Sequence, residues 1–265
     1  VYYTGNLNQT ISVHFIDKQT KKTVTVEVPE GHTGSVLDLT NPDKVKIPDG
    51  YHRVEQMTQN PTYSTDKQDV NVYVAGNEAA VTVHYYLQDE QGRPTTTKIA
   101  NDSQIGTQVG QTVTFDPNKN PKKIEGYTLV SNQTPKVVEI QPNRHQEIPV
   151  YYTGDKNNKI TVHFVDPKNN GTTFPTEKPE GHTGSVLNLD DNNQIKIPAG
   201  YHRLNPADIP NGKKRPENPT YSTKDQNVDV YITGDPVDSH DRNALTINHY
   251  LQDGKGHQTK HVVGP

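Results

Sequence analysis

The sequence predicts a chain of several small, mostly β modules rather than one large domain, and three observations carry that expectation. Long motifs recur in order along the chain, which is the mark of repeated units. The apolar residues come in short alternating bursts rich in Val, Ile and Tyr, the period of a half-buried strand. Only 29% of the 265 residues are hydrophobic and the mean hydropathy is −0.92, too polar for one large core.

The first full unit opens with "ISVHFID" at Ile11–Asp17, where Ile11, Val13 and Phe15 point one way and Ser12 and His14 the other. "GHTGSVL" follows at Gly31–Leu37, then "IPDGYHR" at Ile47–Arg53, "NPTYST" at Asn60–Thr65, and a closing strand carrying Val70, Val72 and Val74. All five return in the same order: "ITVHFVD" at Ile160–Asp166, "GHTGSVL" at Gly181–Leu187, "IPAGYHR" at Ile197–Arg203, "NPTYST" at Asn218–Thr223, and Val228, Val230 and Ile232. This unit is type A. Its second copy is longer, and the extra residues fall in the Pro- and Lys-rich stretch "NPADIPNGKKRPEN" (Asn205–Asn218), which reads as a surface loop.

Between the two copies lies a related unit, type B. It opens with "VTVHYYLQD" (Val81–Asp89), carries "IEGYTLV" (Ile124–Val130) and closes with "IPVYYTG" (Ile148–Gly154). Its opening recurs as "LTINHYLQD" at Leu245–Asp253, and its ending matches "VYYTG" at Val1–Gly5. The expected division is therefore 1–5 as the closing strand of a preceding type B unit, 6–76 type A, 77–154 type B, 155–234 type A, and 235–265 as a linker with the truncated start of another type B unit. The tail is expected to borrow structure from a neighbour, because a lone hairpin is marginal in water. No segment of helical period exceeds about two turns, and Asn170–Gly171 adds hairpin turn chemistry. Tyr51, Tyr127 and Tyr201 stand at matching positions in both unit types and are expected in the core.

Composition narrows function. With no Cys there are neither disulfides nor thiolate metal sites. A net charge of −4 offers no basic footprint for nucleic acid, and no apolar run is long enough for a membrane helix. The opening residues look mid-domain and carry no signal peptide, so the sequence reads as an excerpt of a longer chain.

The opening "VTVHY" strand, the G-x-x-G-S/Q turn, the central I-x-G-Y-x-L/V and the closing V-x-V-Y strand resemble mucin-binding (MucBP) repeats. The alternation of two unit types resembles the MUB-type surface adhesins of lactic acid bacteria, over essentially the whole chain. That resemblance implies ubiquitin-like β-grasp modules, extracellular display with cell-wall attachment elsewhere in the protein, mucin glycoproteins as partners, and immunoglobulins as a further partner. In a β-grasp unit the first and last strands are parallel neighbours, so modules joined by linkers as short as 77–80 and 155–159 should line up end to end as a rod. A monomeric rod of weak sites gains avidity through tethering. The rival reading is a purely structural spacer that projects a binding domain held elsewhere.

Residue by residue, the chemistry is sparse. "GHTGSVL" lacks the Lys of a phosphate-binding loop, and Ser35 has no G-x-S-x-G context. It reads as a turn with positive φ at Gly31 and Gly34 leading into a strand over 35–39. His14, His32 and His52, with His163, His182 and His202, lie on separate strands and a turn without a tight metal-binding pair. Arg53 and Arg203 stand where the type B unit has Leu129. Two readings are open for them: a guanidinium aimed at a carboxylate such as sialic acid, or a stem packed on the core edge. The candidate ligand-binding residues are accordingly His52, Arg53, His202 and Arg203. No cofactor is expected; the acids of "GDPVDSHD" (Gly234–Asp241) offer a calcium alternative at a module junction. No carboxylate pair or nucleophile with a positioned base points to an enzyme.

Overall fold

The computed structural model describes residues 1–54, 59–169, 172–236, 250–252, 255 and 257–262. Strands dominate; the one helical element among the described residues is a three-residue 3-10 turn at Pro206–Asp208. The chain divides into two compact units, Val1–Asp155 with His182–Gly184, and Lys156–Gly181 with Ser185–Pro265.

Among the described residues the first unit holds two main sheets, each built around a parallel pair, and two small antiparallel ones, Leu7–Asn8 with Gly31–His32 and Thr112–Phe115 with Lys136–Glu139. In the type A segment the opening strand Ile11–Asp17 runs parallel to the closing strand Gln68–Gly76, from Ile11↔Gln68 to Asp17↔Val74. Thr23–Glu27 flanks one side and Tyr51–Arg53 the other, giving four strands. Strict alternation of burial explains the register. Ile11, Val13 and Phe15 are fully buried and face Val70, Val72 and Val74 in one core with Leu37, Leu39, Val45 and Tyr63. Each such aliphatic burial contributes about 1.5–3 kcal/mol, and a one-residue slip would turn the whole set to solvent.

In the type B segment Glu78–Gln88 pairs in parallel with Gln146–Gly154, from Gln146↔Val81 to Thr153↔Gln88. The first half of Glu78–Gln88 also pairs with Ser103–Gln108 and its end with Pro94–Lys98, while Tyr127–Leu129 lines the far side of the closing strand. Val81, Val83, Tyr85, Ile148, Val150 and Tyr152 form its core. Only Asn77 separates the closing strand of one segment from the opening strand of the next. The expected linker over 77–80 is therefore almost entirely strand, because Glu78–Ala80 finds partners in Gly106–Gln108.

The second unit repeats the type A plan. Ile160–Val165 runs parallel to Gln226–Gly234, with Tyr201–Arg203 antiparallel on its other side. Its core gathers Ile160, Val162, Phe164, Leu187, Leu189, Ile195, Tyr221, Val230 and Ile232. Tyr250–Gln252 and Gln258–Val262 form an antiparallel hairpin.

The Asp ending each opening motif has a local reason. Asp17 is buried, and its carboxylate accepts from the backbone N–H of Gln19 (2.8 Å) and Thr20 (3.1 Å). Asp89 does the same for Gln91 and Arg93, and Asp166 for Lys168. A side chain that mimics a backbone acceptor ends the strand and closes the turn.

Several expectations need correction. Tyr51, Tyr127 and Tyr201 are half-buried at the rims of their cores, not inside them; the enclosed tyrosines among the described residues are Tyr63, Tyr85, Tyr152 and Tyr221. Ser35–Leu39 forms no strand, only a single bridge from Val36 to Thr62. Val1–Gly5 is not a strand, and Val1, Tyr2 and Tyr3 are fully exposed. Asn170–Gly171, Leu245, Ile247 and the acids of 237–241 lie outside the described residues.

Candidate functional site

"GHTGSVL" is a docking turn. In the first copy Gly34 takes φ +88° and its N–H donates to the Tyr63 carbonyl (2.8 Å), which joins the turn to "NPTYST" of the same module. Gly31 needs no positive φ. It is glycine because a β-carbon there would overlap the Tyr63 ring. From the other side the turn grips residues 5–8. Thr33 N–H donates to the Asn6 carbonyl (3.0 Å), and His32 Nδ1–H donates to the Gly5 carbonyl (2.7 Å). A β-carbon on Gly5 would overlap the Thr33 carbonyl oxygen.

The type B segment uses "QVG" (Gln108–Gly110) in the same way. Val109 N–H donates to the Asn77 carbonyl (3.0 Å), Gly110 takes φ +81°, and a β-carbon on Gly76 would overlap the Val109 carbonyl oxygen. Thr183 N–H donates likewise to the Asp155 carbonyl, 3.0 Å away. The glycine that ends "YYTG" and "VAG" strands is thus a point of close backbone approach.

The "GYHR" strand works at the same places. His52 Nδ1 lies 2.8 Å from the Asn77 side-chain oxygen, and Tyr51 packs on both cores of the first unit. Burial pushes the Tyr51 phenol pKa up, with Asp17 and Glu139 adding to the effect. Thr128, the type B counterpart, donates to Asp155 (2.6 Å). His202 Nδ1 sits 2.7 Å from an Asp235 carboxylate oxygen. His52 and His202 therefore hold the residue that follows the closing strand.

Arg53 and Arg203 turn their heads inward. Arg53 Nη2 donates to the Leu39 carbonyl. Arg203 Nε donates to the matching carbonyl of Leu189 (2.8 Å), and its Nη1 to Asn192. Both arginines are half-buried, so neither presents a free guanidinium on an open face.

Two features escaped the sequence reading. On the outer face of the type B sheet, His84 is 7% exposed. It lies between Asp102 (Nδ1, 2.7 Å) and Glu147 (Nε2, 3.3 Å), with Lys98 on the second Asp102 oxygen (2.8 Å) and His145 3.4 Å from Glu147. The Asp102 hydrogen bond raises the His84 pKa, Glu147 adds to it, and burial and Lys98 oppose. Asp102 is held below its ordinary range by Lys98 first and His84 second. Nothing marks the trio in sequence, because parallel pairing brings Glu147 beside His84 from far along the chain. The second feature is a recess of about 260 Å³ in the second unit, where the longer loop of the second type A copy closes over Arg203, Leu204 and Tyr231. Among the described residues no group of three His, Cys, Asp or Glu is arranged to hold a metal ion.

Comparison with known families decides the affiliation. The MucBP domain profile matches residues 10–73 and 80–153, together just over half the chain. The chain belongs to the MucBP domain family. MucBP repeats are binding modules of extracellular surface adhesins and not enzymes. Among solved structures, the chain is similar to the type 2 repeat of the mucus binding protein MUB from Lactobacillus reuteri (14% identity, 56% of this chain and 100% of that one, TM-score 0.22). It is also similar to Mub-RV (18% identity, 56% and 100%, TM-score 0.21). A third is the Bacillus anthracis TIE protein (10% identity, 65% and 38%, TM-score 0.27). Among curated proteins none matches. No helix among the described residues is long and apolar enough to cross a membrane.

Proposed function

We propose that this chain is the repeat region of a mucus-binding adhesin, with mucin glycoproteins as its partners. The observation that carries the reading is the MucBP match over 10–73 and 80–153. On this reading the MucBP modules are β-grasp units divided at 6–76, 77–154 and 155–234, held outside the cell by an attachment to the wall. Each contributes a weak glycan site, sialylated glycans included, and repetition in one monomeric chain multiplies them by tethering. Immunoglobulin is the second ligand. His52, Arg53, His202 and Arg203 are proposed as the residues that meet ligand.

The test is retention of the full chain on immobilised mucin and on immobilised immunoglobulin, with mucin also assayed after sialidase treatment. Retention on mucin is expected, reduced by desialylation. No retention on either surface would leave a structural spacer. That second reading has one observation in its favour: the two arginines and two histidines are all engaged within the chain.

A further inference from the structure

We propose that the Lys213–Lys214–Arg215 run is a cleavage site for proteases that require a basic side chain, cut in the folded protein without unfolding the module around it. The sequence holds three Lys–Lys pairs, Lys21–Lys22, Lys122–Lys123 and Lys213–Lys214. Their surroundings differ. Lys21 takes φ 60° in a tight turn, where its N–H donates to the Asp17 carbonyl (2.8 Å) and the Lys22 carbonyl accepts from Asp17 N–H (2.9 Å). The Lys122 carbonyl accepts from the Tyr152 hydroxyl (2.8 Å), and the Lys122 ammonium donates to the Asn101 carbonyl (2.7 Å). A protease has to grip both the backbone and the basic side chain of its substrate, and at these two pairs such groups are already engaged. Among the described residues the Lys213 carbonyl, the Lys214 N–H and both ammonium groups have no hydrogen-bond or ion-pair partner.

The loop is held at its ends and open in the middle. Pro206, Ile209, Arg215 and Pro216 line the recess that it covers, and Arg215 is paired with Asp190, whereas residues 211–214 line nothing there and are exposed. The Lys213 N–H closes a turn onto the Pro210 carbonyl (3.0 Å), and from 214 to 217 the backbone makes no hydrogen bond among the described residues. Exposed loop tips of this kind are where nicking concentrates. A protease whose specificity pocket ends in a carboxylate takes Lys213 or Lys214 as its cation. Hydrolysis adds water across the bond that follows, leaving a carboxylate on one residue and an amine on the next. The Arg215–Pro216 bond is a poor target, because Pro216 has a fixed φ and no N–H. Between the same two strands the first copy has "VEQMTQN" (54–60), with neither Lys nor Arg. After the cut the module still holds its parts. Tyr201–Arg203 stays paired with Gln226–Gly234 across the gap, and the core takes Ile160, Leu187 and Ile195 from one side of it and Tyr221, Val230 and Ile232 from the other. Continuity of the chain then depends on the fold and no longer on a covalent bond.

The full native chain is treated with a low ratio of trypsin, and the products are followed by mass spectrometry, denaturing gel and gel filtration. The first cut within residues 1–236 is expected after Lys213 or Lys214, giving two pieces on the denaturing gel that elute together as one native species. K213Q/K214Q, which leaves the Arg215–Asp190 pair in place, should slow that cut at least tenfold, whereas K21Q/K22Q should leave its rate unchanged. Should K213Q/K214Q fail to fold, the cut position read by mass spectrometry in the parent chain decides the matter without any variant. A first cut elsewhere within 1–236, an unchanged rate in folded K213Q/K214Q, or pieces that separate without denaturant would overturn the proposal.

Discussion

Gly76 and Val109 approach so closely that no side chain fits between them: a β-carbon on Gly76 would overlap the Val109 carbonyl oxygen, while Val109 N–H donates to the neighbouring Asn77. Substituting Gly76 must push the type B turn away. Gly76→Val is expected to destabilise the chain by about 1–3 kcal/mol, the usual cost of overpacking, and to speed amide exchange at Val109. Gly234, whose β-carbon would meet no described residue, is the control: Gly234→Ala should leave stability nearly unchanged. Equal effects at the two positions would contradict the docking role.

The two glycines of "GHTG" are needed for different reasons, and substitution separates them. Gly31→Ala drives a methyl into the Tyr63 ring and is expected to cost about 1–3 kcal/mol. The paired change Gly31→Ala with Tyr63→Leu should cost less than the sum of the two single changes, because they share one contact. Gly34→Ala meets open space but is forced to keep φ +88°, at about 1–2 kcal/mol. No change at Tyr63 should rescue it. Thermal unfolding of these four variants, with Gly34→Ala paired with Tyr63→Leu as a fifth, checks both halves.

Tyr51 and Tyr201 are the same residue in two copies, but among the described residues Tyr51 packs on two cores and Tyr201 on one. A fully buried aromatic truncated to Ala costs about 3–5 kcal/mol. Tyr51→Ala is expected near the lower end of that range and Tyr201→Ala below it. Denaturant melts of the two variants should rank them in that order, and the reverse order would refute the double contact.

The His84 site makes stability depend on pH. Its folded pKa lies above the ordinary value near 6.5. Its contribution is therefore complete below about 6.5 and is lost as pH rises through the folded pKa. Asp102, held low, contributes above its ordinary value near 3.9 and loses that contribution as pH falls through its folded pKa. The type B segment should be most stable in mildly acidic solution. His84→Gln should flatten the decline on going from pH 6 to 8, and NMR titration of the His84 ring should report a midpoint above the ordinary imidazole value near 6.5. A midpoint at or below that value would refute this account.

The strand content was legible because burial alternates with period two. "ISVHFID" can bury Ile11, Val13 and Phe15 together only as a strand, and the same holds for Val70, Val72 and Val74. Three things were not legible. Gly31 and Gly76 look like ordinary turn and strand-end glycines, and only the tertiary structure brings the Tyr63 ring against one and the Val109 carbonyl against the other. Arg53 and Arg203 read alike, yet the carbonyl each meets belongs to a loop whose path depends on packing. His84 reads as a surface position of its strand, and becomes a buried charge site only when parallel pairing sets Glu147 beside it and the residue just before Ser103–Gln108 supplies Asp102. The sequence by itself determined which residues of the opening and closing strands face inward, because that is a local period. The tertiary structure decided which backbone and polar groups meet, because those contacts join residues far apart in the chain and no local pattern encodes them.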